Sequence, residues 1–161
     1  MEGSLAIYIA ELRKQFIKYG AVLLDQYGLT DGTYQYLIYV CKKPGTTPGE
    51  MSEWFHMDHG HITRCILRLE KLGYVDRKKS ETDRRQVLLY STKKGLEIFN
   101  EIYTLIEDWD KLAMKGLTKE EMKLLLDLLG KVDKTLQEEA FKPAKGCKAV
   151  SDAMPLQIVN S

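Results

Sequence analysis

Cysteine is scarce in this sequence. Cys41, Cys65 and Cys147 are three in number and stand at no metal-type spacing. An odd, scattered set excludes a disulfide framework and points to a reducing, cytoplasmic setting. No apolar run approaches the ~20 residues that a membrane-spanning helix needs. The start, from Met1 to Tyr8, lacks the basic stretch and long apolar core of a secretory signal. Catalytic signatures are missing too: there is no nucleophile–base set, phosphate loop or paired-carboxylate motif, which argues against an enzyme, and no cofactor is expected. Charge of one sign is also absent overall, with a net of +1 over 161 residues. What is present suffices for one folded domain, since 44% of residues are hydrophobic and 29% charged, a balance that disordered chains do not have.

The informative stretch runs from Asp58 to Gly95. Asp58 can cap a helix by accepting the free N–H groups of its first turn. Ile62, Cys65, Ile66, Leu69 and Leu72 recur at three- and four-residue steps and form one apolar face. Thr63, Arg64, Arg68 and Lys71 fall on the other side, with His59 and His61 expected in an exposed first turn. Gly73 stops the helix. Two strands are then predicted, Tyr74 to Lys78 and Gln86 to Ser91, joined by the wholly polar segment from Lys79 to Arg85. A basic-faced helix beside a polar hairpin fits nucleic acid, the helix suiting a major groove and an arginine-tipped ribbon the adjacent minor groove. From His59 to Lys94 there are ten lysines and arginines against four carboxylates. The positive charge missing from the chain as a whole is concentrated here, as phosphate binding requires.

These residues resemble a family. The run from Gly73 and Tyr74 to Gly95, with Asp83-Arg84-Arg85 followed by Thr92 and Gly95, looks like the wing of the MarR (multiple antibiotic resistance regulator) winged helix-turn-helix family. Upstream, Ile62-Thr63-Arg64 and Arg68-Leu69-Glu70 match that family's recognition helix without a gap. The flanking helices extend the resemblance over roughly residues 5–139. It implies a mainly α fold with a small β-wing, and a dimeric DNA-binding transcription regulator often relieved by a small ligand.

The rest of the chain reads as scaffold. Ser4 can cap a first helix of about 4–24, whose Leu5, Ile9, Leu12, Phe16, Ile17, Val22 and Leu23 need a partner, and Gly20 is a point where it breaks or bends. After a turn, Thr30 or Asp31 can cap a helix from Tyr34 to Cys41, and 42–46 reads as a loop. Thr47-Pro48-Gly49-Glu50 combines a capping box with proline at the first helical position, opening a short helix to Phe55. Thr92 caps a helix of about 92–115, and Thr118 to Glu121 form a second capping box opening a helix of about 118–139. Residues 1–139 are thus expected to form a single winged helix-turn-helix domain, its DNA-binding lobe at about 30–91. Residues 140–161 are a tail or docked extension that the resemblance does not cover. By the resemblance the helices at about 4–24, 92–115 and 118–139 make the dimer interface.

By that resemblance the DNA-binding set is His59, Gly60, His61, Thr63, Arg64, Arg68, Lys71, Lys78, Lys79, Asp83, Arg84 and Arg85. Arg64 is the first choice for a guanine, because its planar fork pairs two acceptors at once. Three positions depart from the family pattern: Gly60 replaces a small hydroxyl residue, His59 a frequent arginine, and Leu67 a usual acid. Leu67 either meets a thymine methyl or packs on the wing. Tyr8, Tyr19, Tyr34, Tyr36, Tyr39 and Trp54 could line a crevice for an aromatic effector, with core packing as the alternative. His56, His59, His61 and Cys65 do not complete a metal spacing, and Cys41 reads as a buried thiol rather than a redox switch. The expectation is a homodimeric repressor or activator on a pseudo-palindromic site in double-stranded DNA. The rivals are a winged-helix module for protein contact and a cysteine- or metal-responsive regulator of the same fold.

Overall fold

Side-chain caps decide where most of the helices begin. The computed structural model describes residues 3–29, 32–81 and 86–138. Among them are helices α1 (Leu5–Gln26), α2 (Thr33–Lys42), α3 (Pro48–Phe55), α4 (His59–Lys71), α5 (Lys93–Ala113) and α6 (Lys119–Glu138), with strands β1 (Val75–Lys79) and β2 (Val87–Ser91). The chain divides into two compact units, Met1–Trp109 and Asp110–Ser161, so α5 begins in the first and ends in the second.

In the first unit the Thr47 hydroxyl accepts the Glu50 N–H at 3.1 Å, and the Glu50 carboxylate accepts the Thr47 N–H at 2.8 Å. This reciprocal pair starts α3, with Pro48 in its first turn. Asp58 accepts the His61 N–H at 2.9 Å to start α4, and Thr92 accepts the Gly95 N–H at 2.9 Å to start α5. Each bond satisfies a donor that the helix itself leaves unpaired.

Three local expectations change. Ser4 stands at the N-cap of α1 but its side chain makes no capping bond. The cap residue of α2 is Gly32, at φ 80° and without a side-chain bond, while Thr30 and Asp31 lie outside the described residues. Gly20 does not break α1, which runs on to Gln26. A Cβ at Gly20 would come 2.9 Å from Leu105 Cδ2 and 3.4 Å from Leu24 Cδ1. That glycine therefore serves the close approach of α1 and α5.

The core of this unit lies among α2, α3, α4 and β2, where Leu37, Val40, Met51, Ile62, Leu69 and Leu89 are fully buried. Removing any one of these large side chains to alanine costs about 2–5 kcal/mol in such a setting. Helices α3 and α4 meet through a turn in which His56 adopts φ 50°. Strands β1 and β2 pair antiparallel, with Val75 opposite Ser91 and Lys79 opposite Val87. The segment read as a loop at 42–46 is partly paired. Thr46 bridges to Leu89, with the Gly45 N–H donating to Leu89 O and the Leu89 N–H to Thr46 O, both at 2.8 Å.

In the second unit the Thr118 N–H donates to Glu121 Oε2 at 2.8 Å and the Glu121 N–H to Thr118 Oγ1 at 3.2 Å, the expected capping box of α6. Leucines 124, 125, 126, 128, 129 and 136 of α6 are exposed. No helix among the described residues is long and apolar enough to cross a membrane.

Candidate nucleic-acid interface

Burial on one side of α4 fixes what the other side presents. Ile62, Ile66 and Leu69 are buried, and their shared face turns His59, Gly60, Thr63, Arg64, Leu67, Arg68 and Lys71 outwards, where all seven are exposed. The Thr63 hydroxyl donates to His59 O at 2.7 Å, so its oxygen remains free to accept. A Cβ at Gly60 would lie 3.1 Å from Asp58 Oδ1 and 3.4 Å from Arg64 Nη1. The guanidinium thus folds back beside the capping carboxylate, over the space that this glycine leaves open. The His61 N–H bond, with Arg64 adding its charge, holds the Asp58 carboxyl below the usual range.

His61 departs from the expectation of an exposed first turn. It is half-buried, with Nε2 3.0 Å from the Tyr36 hydroxyl and 3.4 Å from Cys65 Sγ. The cover comes from Tyr36 of α2, 25 residues away in the chain, together with Cys65 one turn on, a packing between helices that spacing along α4 does not give.

On the wing, Lys78 and Lys79 are exposed, and Lys78 Nζ stands 5.0 Å from the centroid of the Tyr90 ring. Asp83, Arg84 and Arg85 lie outside the described residues. Two supporting residues escaped sequence reasoning. Arg77 of β1 pairs with Glu70 of α4 at 3.6 Å. Lys94 Nζ donates to Leu72 O at 3.0 Å at the C-terminal end of α4, where a cation complements the helix dipole. Thr92 Oγ1 donates to Gly73 O at 2.7 Å beside it. Strand β1 and the start of α5 thereby hold α4 at its far end, through pairings too distant in sequence to be read from spacing.

The six aromatic candidates are not brought together. Tyr8 is exposed on α1. Tyr19 lies 5.5 Å from Trp109, which meets Phe16 at 5.8 Å, and Phe16 meets buried Tyr34 at 6.2 Å. Tyr36 and Tyr39 pack on Phe55 at 4.8 and 5.4 Å, and Tyr39 meets Trp54 at 5.6 Å. Among the described residues no three His, Cys, Asp or Glu side chains gather as a metal site. Burial pushes the Cys41 thiol up to about 11, against a lowering hydrogen bond from Ser91. Burial raises Cys65 as well, opposed by Arg64 and Arg68.

Comparison with known proteins agrees with this arrangement. The family described as transcriptional regulator SarA/Rot matches residues 18–102. The regulator BilQ of Clostridioides difficile, of helix-turn-helix type, is 36% identical over 138 residues, covering 84% of this chain and 93% of the relative. A crystal structure of MarR superposes with a TM-score of 0.77 at 26% identity, covering 85% of this chain and 93% of that one. The chain belongs to the MarR family. A further MarR-family structure, a regulator from Listeria monocytogenes solved with a 26mer DNA, has a TM-score of 0.77 at 24% identity, covering 92% of this chain and 99% of that one. In MarR-family terms α3 and α4 are the helix-turn-helix, β1 and β2 the wing, and the activity is transcription regulation through DNA rather than enzymatic.

Proposed function

We propose that two copies of this chain pair through α1 and α6 and bind a pseudo-palindromic DNA site, with α4 of each copy in a major groove and the wing beside it. The observation that carries this reading is the outward face of α4, where Arg64, Arg68 and Lys71 are exposed opposite Ile62, Ile66 and Leu69. The 26mer DNA bound by the Listeria regulator supports it. Pairing is supported by exposed apolar surface. Of eighteen large hydrophobic side chains exposed among the described residues, fifteen lie on α1 and α6, far more than solvated helices need. Two-fold symmetry then sets the recognition helices roughly 34 Å apart, one turn of DNA.

Within this reading His59, Gly60, Thr63, Arg64, Arg68, Lys71, Lys78 and Lys79 face the duplex, and the family resemblance adds Asp83, Arg84 and Arg85 to the contacting set. His61 acts from behind, through Tyr36. An aromatic effector would stack at the partly exposed Tyr19–Trp109 pair and favour the state that fits DNA less well. The test is Arg64→Ala. It is expected to weaken binding to a selected duplex by ~1–3 kcal/mol and to relax base preference. Unchanged discrimination between the selected duplex and a scrambled one would remove Arg64 from base reading.

A further inference from the structure

One side chain on the outward face of α4 carries neither charge nor hydrogen-bonding group. Leu67 is 46% exposed, and between Val22 and Leu96 it is the only large hydrophobic exposed among the described residues. Its place is central. At about 100° per residue, Gly60, Arg64, Leu67 and Lys71 fall within roughly 60° of arc, opposite the buried Ile62, Ile66 and Leu69.

We propose that Leu67 is a specificity residue that reads a thymine through its 5-methyl group in the major groove. This rests on the DNA-binding reading above. Leucine cannot read the donor and acceptor pattern of a base edge, and the apolar group that the major groove displays is the thymine methyl. The surroundings select the occupant. Arg64, Arg68 and Lys71 are exposed around Leu67, a cationic frame that suits a polyanion and repels the same face of a second copy. The nearest acid on the helix, Glu70, is paired with Arg77 at 3.6 Å. Gly60, two turns earlier on the same line, adds no side chain to hold the helix away from the groove.

The probe is a duplex recovered with the full wild-type chain from a randomised pool, each thymine then replaced in turn by deoxyuridine, which lacks only the methyl. Wild type is expected to lose about fourfold in affinity at one thymine of each half-site, the value of one buried methyl, and about fifteenfold when both half-sites are altered. Leu67→Ala should bind the thymine and uracil duplexes equally while keeping the base preference that Arg64→Ala loses. Leu67→Gln, which retains bulk, should behave as Leu67→Ala does. The proposal is overturned if no thymine methyl matters to wild type, or if both variants keep the same thymine–uracil difference. Failure of wild type to recover any duplex overturns the DNA-binding reading and this inference together, whereas recovery with methyl indifference overturns this inference alone.

Discussion

Gly95→Ala tests how α5 is locked against the wing. A Cβ at Gly95 would overlap the Tyr74 carbonyl oxygen and lie 3.0 Å from its carbon and 3.2 Å from its Cα. The obstacle is backbone, and it is held from both sides. Tyr74 O accepts the Thr92 N–H at 3.0 Å, and the Tyr74 N–H donates to Leu69 O at 2.9 Å. Relief means pulling the first turn of α5 away, which breaks the Thr92 N–H bond and the 2.7 Å bond from Thr92 Oγ1 to Gly73 O. At ~1 kcal/mol each these cost about 2 kcal/mol, and the residual clash offsets the gain of up to ~1 kcal/mol from alanine's helix propensity. The expected loss is about 2 kcal/mol, a fall in Tm of roughly 4–8 °C for a chain of this length. Thermal and urea melts followed by circular dichroism measure it. Gly130→Ala, inside α6 with no atom within 4 Å of its Cβ, is the control and should gain ~0.5–1 kcal/mol. A Gly95→Ala chain as stable as wild type would refute the reasoning.

Tyr36→Phe removes the hydroxyl 3.0 Å from His61 Nε2 and should lower stability by ~0.5–1.5 kcal/mol; an unchanged urea midpoint would show that this bond does not hold α4. Asp58 titrates below its ordinary 3.8, chiefly through the His61 N–H, so its contribution is full above 3.8 and is lost as pH falls through the folded value. Asp58→Ala should therefore be less stable than wild type near neutral pH, with the gap closing in strong acid, and a gap that widens in acid would contradict the capping role. With Cys65 and Cys147 replaced by serine, Cys41, held up to about 11 by burial, should label slowly near neutral pH until urea unfolds the chain. Equal rates in the folded and unfolded chain would contradict that burial.

What could be read from the sequence was local. The capping residues Thr47, Asp58, Thr92 and Thr118 act on N–H groups within three positions, so short-range pattern placed the starts of α3, α4, α5 and α6. The buried face of α4 followed from periodicity for the same reason. The bridge between Thr46 and Leu89 joins residues far apart in the chain, and no short pattern encodes it. Gly20 was misread because a glycine required by a neighbouring helix looks in sequence like one that ends a helix. The aromatic candidates divide into Tyr36, Tyr39 and Trp54 around Phe55 and Tyr19 and Tyr34 along Trp109 and Phe16, a division set by where helices meet, which spacing along one helix does not give.

The most direct test of paired DNA binding is a titration of a selected duplex with the full chain, followed by fluorescence anisotropy across salt concentration. Two chains should bind each duplex, with an affinity that falls by roughly a hundredfold between about 50 and 200 mM salt, as expected for about four neutralised phosphates. One chain per duplex, or an affinity indifferent to salt, would contradict it.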